Sequence, residues 1–261
     1  WKKLTSEQKP KVYEILELLK KRLKNELPFL IYHIQGNILY RENKIKEARA
    51  MLDKAYNALI SSPLGQGYNE RVVISSPIKG ILYGGNNQSS TSVTHMGLNR
   101  YCYDVMGSDL SGKMLKPQGQ FKKLNDWYGF GMAIYSPING KVTEVINNQP
   151  DDIPSGSPTG PEPNMIYIQG DDGKFYIFAH LKKGSARVNI NDFVRAGQQI
   201  AEMGNSSSTF PHLHFGVYSK DWLVSYPVYF KNYYKIVNGK KIFVTEGQPG
   251  GIDNHEVYEV R

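Results

Sequence analysis

Apolar side chains recur at helical spacing over the first sixty residues and then change rhythm. Between residues 5 and 24, Val12, Ile15, Leu16, Leu19 and Leu23 fall on one stripe, three and four apart, which predicts an amphipathic helix. Thr5, Ser6 and Gln8 at its start offer side-chain oxygens that can cap free backbone N–H groups. Two more helices are predicted over 28–40 and 44–60. In the third, Ile45, Ala48, Leu52, Ala55 and Leu59 face one way, and Ser61, Ser62 and Pro63 stop it. Beyond Pro63, short apolar runs alternate with Gly, Pro, Asn and Asp, the texture of antiparallel strands joined by turns. Strands are predicted over 71–74, 132–135, 141–146, 165–169, 175–180 and 212–218. Residues 147–164 include five prolines and predict a long exposed loop. The fold class expected is therefore α+β: a small α-helical region over 1–63, then a mainly antiparallel β domain over 64–261.

The second and third helices resemble a single tetratricopeptide hairpin, with Gly36, Ala48, Leu52 and Ala55 at the small and apolar positions where two helices approach closely. One such hairpin cannot bury its own faces, so it is expected to lean on the preceding helix or the following domain. His33 falls inside this region and is expected to be a packing or surface residue, not a ligand. The 261 residues are 40% hydrophobic and 21% charged, which excludes collagenous and disordered chains. Cys102 is the single cysteine, so no internal disulfide is available and a hydrophobic core must supply the stability. No apolar run reaches the ~18 residues of a spanning helix. A leader or anchor could have been removed, so the start at Trp1 is no argument for a cytoplasmic address.

The formal charge of +8 is uneven: residues 1–60 hold 13 Lys and Arg against 7 Asp and Glu. Such a basic face can meet an anionic polymer, but Lys-rich helices are ordinarily just solvated. Nucleic-acid binding fits poorly, because the chain shows no RNA-recognition signature, zinc-finger spacing or basic recognition helix.

The histidines carry more information. In Pro211-His212-Leu213-His214-Phe215, strict alternation puts His212 and His214 on one strand face and Leu213 and Phe215 on the other. His180 ends an apolar run at the mouth of a strand, on the side of Tyr176 and Phe178. His95 follows a Ser/Thr-rich loop, and Asp104 stands within the otherwise apolar run 101–105. A buried carboxylate needs a partner, either a metal ion or an Arg or Lys.

Taken together, His95…Asp104, Ala179-His180-Leu181 and Pro211-His212-Leu213-His214-Phe215 resemble the lysostaphin-type, or LytM-type, zinc endopeptidases of bacterial peptidoglycan. The segments RYCYDV, SPINGKV and FVRAGQQIAEMGNS are similar to further motifs of that family, and the likeness spans about residues 90–220. The resemblance implies one zinc ion held by His95, Asp104 and His214, with the fourth position left to water, as in catalytic zinc sites. It leaves His180 and His212 unligated. His212 is then the chief general base, and His180 orients the water or hydrogen-bonds the oxyanion, the two roles being interchangeable at this level. Two departures, the turn NSSSTFP and an insertion over 107–128, bear on substrate choice more than on catalysis.

The function expected is a zinc metalloendopeptidase acting on peptidoglycan peptides, hence outside the cytoplasm: periplasmic, surface-bound or secreted. The alternative is a catalytically inactive relative that binds wall peptides or activates an amidase. For the N-terminal helices the expectation is a positioning arm or a protein-docking surface, against simple capping of the β domain.

Overall fold

A computed structural model describes residues 8–23, 28–65, 70–85, 95–154, 162–220, 225–247 and 256–261. The chain divides into two units, one comprising Trp1–Glu70 with Gln88–Arg100, the other Arg71–Asn87 with Tyr101–Arg261.

The first unit holds α1 (Gln8–Leu23), α2 (Pro28–Arg41) and α3 (Ile45–Ile60). Thr5 and Ser6, read as caps of α1, lie outside the described residues. Leu16 of α1 packs with Ile31 and Ile38 of α2. Gly36 lets α2 approach α3 closely: a Cβ there would stand 2.6 Å from Leu52 Cγ. Leu52 and Ala48 also pack on Met96, which precedes a turn of 3-10 helix at Gly97–Asn99. His33 is packed within this unit. Its Nε2 faces the Asn37 amide at 3.1 Å, and burial pushes its pKa down to about 4.

The second unit is built from β1 (Val72–Ser75), β2 (Gly80–Gly85), β3 (Tyr103–Gly107), β4 (Ala133–Tyr135), β5 (Gly140–Ile146), β6 (Met165–Gly170) and β7 (Phe175–Ala179). It continues with β8 (Phe193–Val194), β9 (Gln199–Glu202), β10 (Leu213–Tyr218), β11 (Val228–Val237), β12 (Lys240–Gly247) and β13 (Glu256–Val260). Among the described residues one sheet runs β1-β11-β13-β2-β3-β10-β7-β6-β5-β8, with β12 flanking β11, while β4 and β9 form a separate pair. Every pairing is antiparallel except that of β1 with β11. The chain is thus α+β with a mainly antiparallel sheet.

Alternation along the central strands builds the core. Tyr103 and Val105 of β3, Phe178 of β7, and Leu213 and Phe215 of β10 are fully buried on one face. Phe215 sits 5.2 Å, ring to ring, from Phe178 and 6.3 Å from Phe230. Burying each such ring contributes roughly 2–3 kcal/mol, so the register of these strands is strongly specified, since a one-residue slip would turn every ring outward.

Two strand ends differ from the sequence expectation. β7 stops at Ala179 because His180 adopts φ +62, outside the extended region, and so leaves the alternation that would have aligned it with Tyr176 and Phe178. β10 starts at Leu213, leaving His212 in the preceding turn. The proline-rich loop is also less exposed than expected at its start. Asp152 is buried, and Asp151 accepts backbone N–H bonds from Asn205 and Lys183 at 2.7 and 3.1 Å; residues 155–161 lie outside the described set.

Candidate metal centre

The sheet register brings the chemistry together. β10 lies between β3 and β7, and His214 stands directly opposite Asp104 on one side and Ala179 on the other. Directly opposed residues of an antiparallel pair have Cβ atoms only ~5 Å apart. The Asp104 carboxylate and the His214 imidazole therefore meet without any loop having to deliver them. Their separation is 3.0 Å, from Oδ1 to Nδ1, and the same carboxylate oxygen lies 3.4 Å from His212 Nε2. The rings of His180 and His212 are 4.5 Å apart, and those of His180 and His214 6.1 Å.

Backbone carbonyls decide where the protons sit. His180 Nδ1 is 2.8 Å from the Ser206 carbonyl, and His212 Nδ1 is 3.0 Å from the Phe210 carbonyl. A carbonyl only accepts, so Nδ1 must be the protonated nitrogen in both rings, and in the neutral ring Nε2 carries the lone pair. The Ser208 hydroxyl donates to that same Phe210 carbonyl and stands 3.1 Å from His212 Nδ1. Neutral His212 thus turns an acceptor nitrogen toward an acceptor oxygen of Asp104. Such a pairing calls for a positive charge between or beside the two groups.

The titration tendencies agree. Burial lowers His180 to about 3, helped by neighbouring His212 and His214. For His214 burial works in the same downward direction, but the hydrogen bond to Asp104, with a further one involving Cys102, prevails and raises it to about 10. A carboxylate that holds a proton so firmly on its neighbouring imidazole is a site that favours a cation.

Among the described residues, His95, Asp104 and His214 each offer one ligand atom within 4.8 Å of the others, a possible His/Asp/His metal site. Two imidazoles and one carboxylate form a donor set suited to zinc. His95 itself is buried, in the turn before the 3-10 helix. His180 and His212 lie beside Asp104 and His214 through the ring and carboxylate distances given above.

Residues 127–226 match the family model of peptidase family M23. Over that span the chain is similar to M23 peptidases. The matched span includes His180, His212 and His214 and begins after His95 and Asp104. Lipoprotein NlpD of Yersinia enterocolitica is 29% identical over 87 residues, 33% of this chain and 77% of that protein. A zinc-containing peptidase from Vibrio cholerae is 28% identical, with 37% of this chain and 26% of that one covered, at a TM-score of 0.28. For the catalytic domain of lysostaphin, an antimicrobial peptidase from Staphylococcus simulans, the figures are 21% identity, 56% and 88% coverage, and a TM-score of 0.34.

Sequence reasoning missed the supports of these histidines: Ser206, Ser208 and the carbonyl of Phe210, which orient His180 and His212. Main-chain acceptors leave no mark on residue identity, so the only available signal was the run of small hydroxyl residues in NSSSTFP.

Proposed function

We propose that this chain is a zinc-dependent endopeptidase that hydrolyses peptide bonds of bacterial peptidoglycan, in stem peptides or cross-bridges. In this reading His95, Asp104 and His214 hold one zinc ion, and His180 and His212 act beside it. The observation that carries the reading is the Asp104 carboxylate facing His214 at 3.0 Å and His212 at 3.4 Å, a half-buried arrangement that calls for a cation. When bound, zinc supplies Lewis acidity that lowers the pKa of a water toward about 7 and polarises the scissile carbonyl.

The chain's own residues manage the protons. His212, tethered at Nδ1 by Phe210, has Nε2 available to take a proton from the attacking water and return it to the leaving amine. His180, tethered at Nδ1 by Ser206, orients the water as an acceptor. A neutral His180 has no Nε2 proton to offer an oxyanion, and burial opposes charging it, so the water-orienting role is the better supported of the two. The substrate class puts the site of action outside the cytoplasm.

The test is zinc stoichiometry together with muropeptide mapping for the parent, His214→Ala and His212→Ala. His214→Ala should lose zinc and activity, whereas His212→Ala should keep zinc and lose activity. Full zinc in His214→Ala would overturn the ligand set. A zinc-loaded parent that releases no muropeptide from any cross-bridge type would favour an inactive wall-binding or amidase-activating module.

A further inference from the structure

The insertion over 107–128 has its own internal order. Asp109 accepts from the Ser111 and Lys113 backbone N–H groups at 2.8 and 3.0 Å, and Asp126 accepts from Gln120 N–H at 2.8 Å. At its end Trp127 is 4% exposed, with its indole N–H donated to the Phe121 carbonyl at 2.9 Å. Phe121 packs edge-on against the indole at 5.1 Å. Phe210 also neighbours Trp127, stacked at 5.9 Å and 10°.

Phe210 is also the residue whose carbonyl fixes the His212 tautomer, and its ring lies 5.7 Å from the imidazole. Phe210, Pro211 and His212 are consecutive, and proline restricts the backbone of the residue before it. A ring locked in a stack therefore constrains the direction of its own carbonyl. If Phe210 rotates, the Nδ1–H of His212 loses its partner and the proton is free to move to Nε2, where it would block acceptance of another.

We propose that Trp127 is a positioning residue: by stacking on Phe210 it holds the Phe210 carbonyl on His212 Nδ1 and so keeps Nε2 of His212 as the proton acceptor. The insertion then serves as a clamp on this turn. The inference rests on the role proposed for His212, but its first readout does not require activity.

The experiment measures histidine side-chain nitrogen chemical shifts in 15N-labelled, zinc-loaded protein, together with steady-state hydrolysis of a soluble wall peptide. The parent should show His212 protonated at Nδ1. In Trp127→Ala that signal should shift toward a mixture of tautomers, with kcat down about 10- to 100-fold, KM within about twofold and zinc at full stoichiometry, the size expected when a reacting group is slightly misplaced. Trp127→Phe should restore most of both readouts. Phe210→Leu, which keeps apolar volume without a ring to stack, should behave like Trp127→Ala and decides the matter alone if that variant fails to fold. An unchanged His212 tautomer in these variants overturns the proposal, whatever happens to kcat. A parent with no measurable hydrolysis but with the predicted tautomer changes would overturn the enzymatic reading and leave the clamp standing.

Discussion

Replacing Asp104 with Asn keeps the shape of the side chain and removes the charge that His214 faces. In the metal-free protein His214 is raised to about 10 from an ordinary 6.5, with the Asp104 hydrogen bond the largest raising influence against burial. At 1.36 kcal/mol per unit the ceiling is roughly 5 kcal/mol. Both side chains are about one-fifth exposed, at 21% and 20%, which reduces the expected contribution to about 2–3 kcal/mol. The sign follows from proton binding. Below pH 6.5 folded and unfolded chains both hold the proton, and the stabilisation is complete. Between 6.5 and 10 the unfolded chain releases it while the folded chain retains it, so stability falls as pH rises.

Chelator-treated parent should therefore lose about 2–3 kcal/mol of unfolding free energy from pH 6.5 to 10 in urea titrations, and Asp104→Asn should show little of this slope. Adding zinc should reverse the trend in the parent, because ligands must shed protons to bind metal and affinity then rises with pH. Asp104→Asn should not respond. A flat profile for the metal-free parent, or the same slope in Asp104→Asn, would refute the assignment of His214 and Asp104 as a proton-sharing pair.

Two further perturbations probe the scaffold. Gly84 has φ +137, and a Cβ there would lie 2.2 Å from the Asp104 carbonyl oxygen. Gly84→Ala should cost about 2–3 kcal/mol and, by calorimetry, lower Tm by roughly 6–10 °C; an unchanged Tm would mean that β2 and β3 can separate freely. His33 is held neutral to about 4 by burial, so the unfolded chain binds the extra proton between pH 6.5 and 4 and stability falls as the pH drops. That loss should be about 2 kcal/mol after allowance for partial exposure, and urea titrations of His33→Gln, which retains an acceptor for the Asn37 amide, should show a smaller acid slope.

The helices were legible in the sequence because each repeats its apolar face over about four turns, and the boundaries of α2 and α3 agree to within one residue. Of the strands that carry the centre, β7 and β10 were predicted to within one residue at each end, and β3 stood out as the otherwise apolar run around Asp104. β2, β8, β9, β11, β12 and β13 were not predicted. Gly80, Gly84 and Gly85 dilute the apolar signal of β2, while β11 and β12 mix lysines, tyrosines and exposed Val237, Ile242 and Phe243 with no clean alternation. Partners far apart in sequence, such as β13 beside β2, supply the pairing that such segments lack in their own pattern.

What remained hidden at the centre is the division of labour between strand and turn. Asp104 and His214 are placed by register alone, because facing positions of β3 and β10 cannot avoid one another. His180 and His212 lie one residue outside their strands, and each is steered by a carbonyl of the same turn, at Ser206 and Phe210. That turn is anchored in its own right. Ser206 is fully buried, its hydroxyl donates to the Leu181 carbonyl at 2.8 Å, and it accepts from Asn164 N–H at 2.9 Å. Positive φ at His180 (+62) and Ser207 (+51) stores strain of about 1–3 kcal/mol at each position, which persists only because the surrounding hydrogen bonds outweigh it. Under the proposed roles, the pair that would share a cation is thus held by the rigid sheet, while the pair that would hold and release protons is set by backbone acceptors that fix tautomers without adding charge.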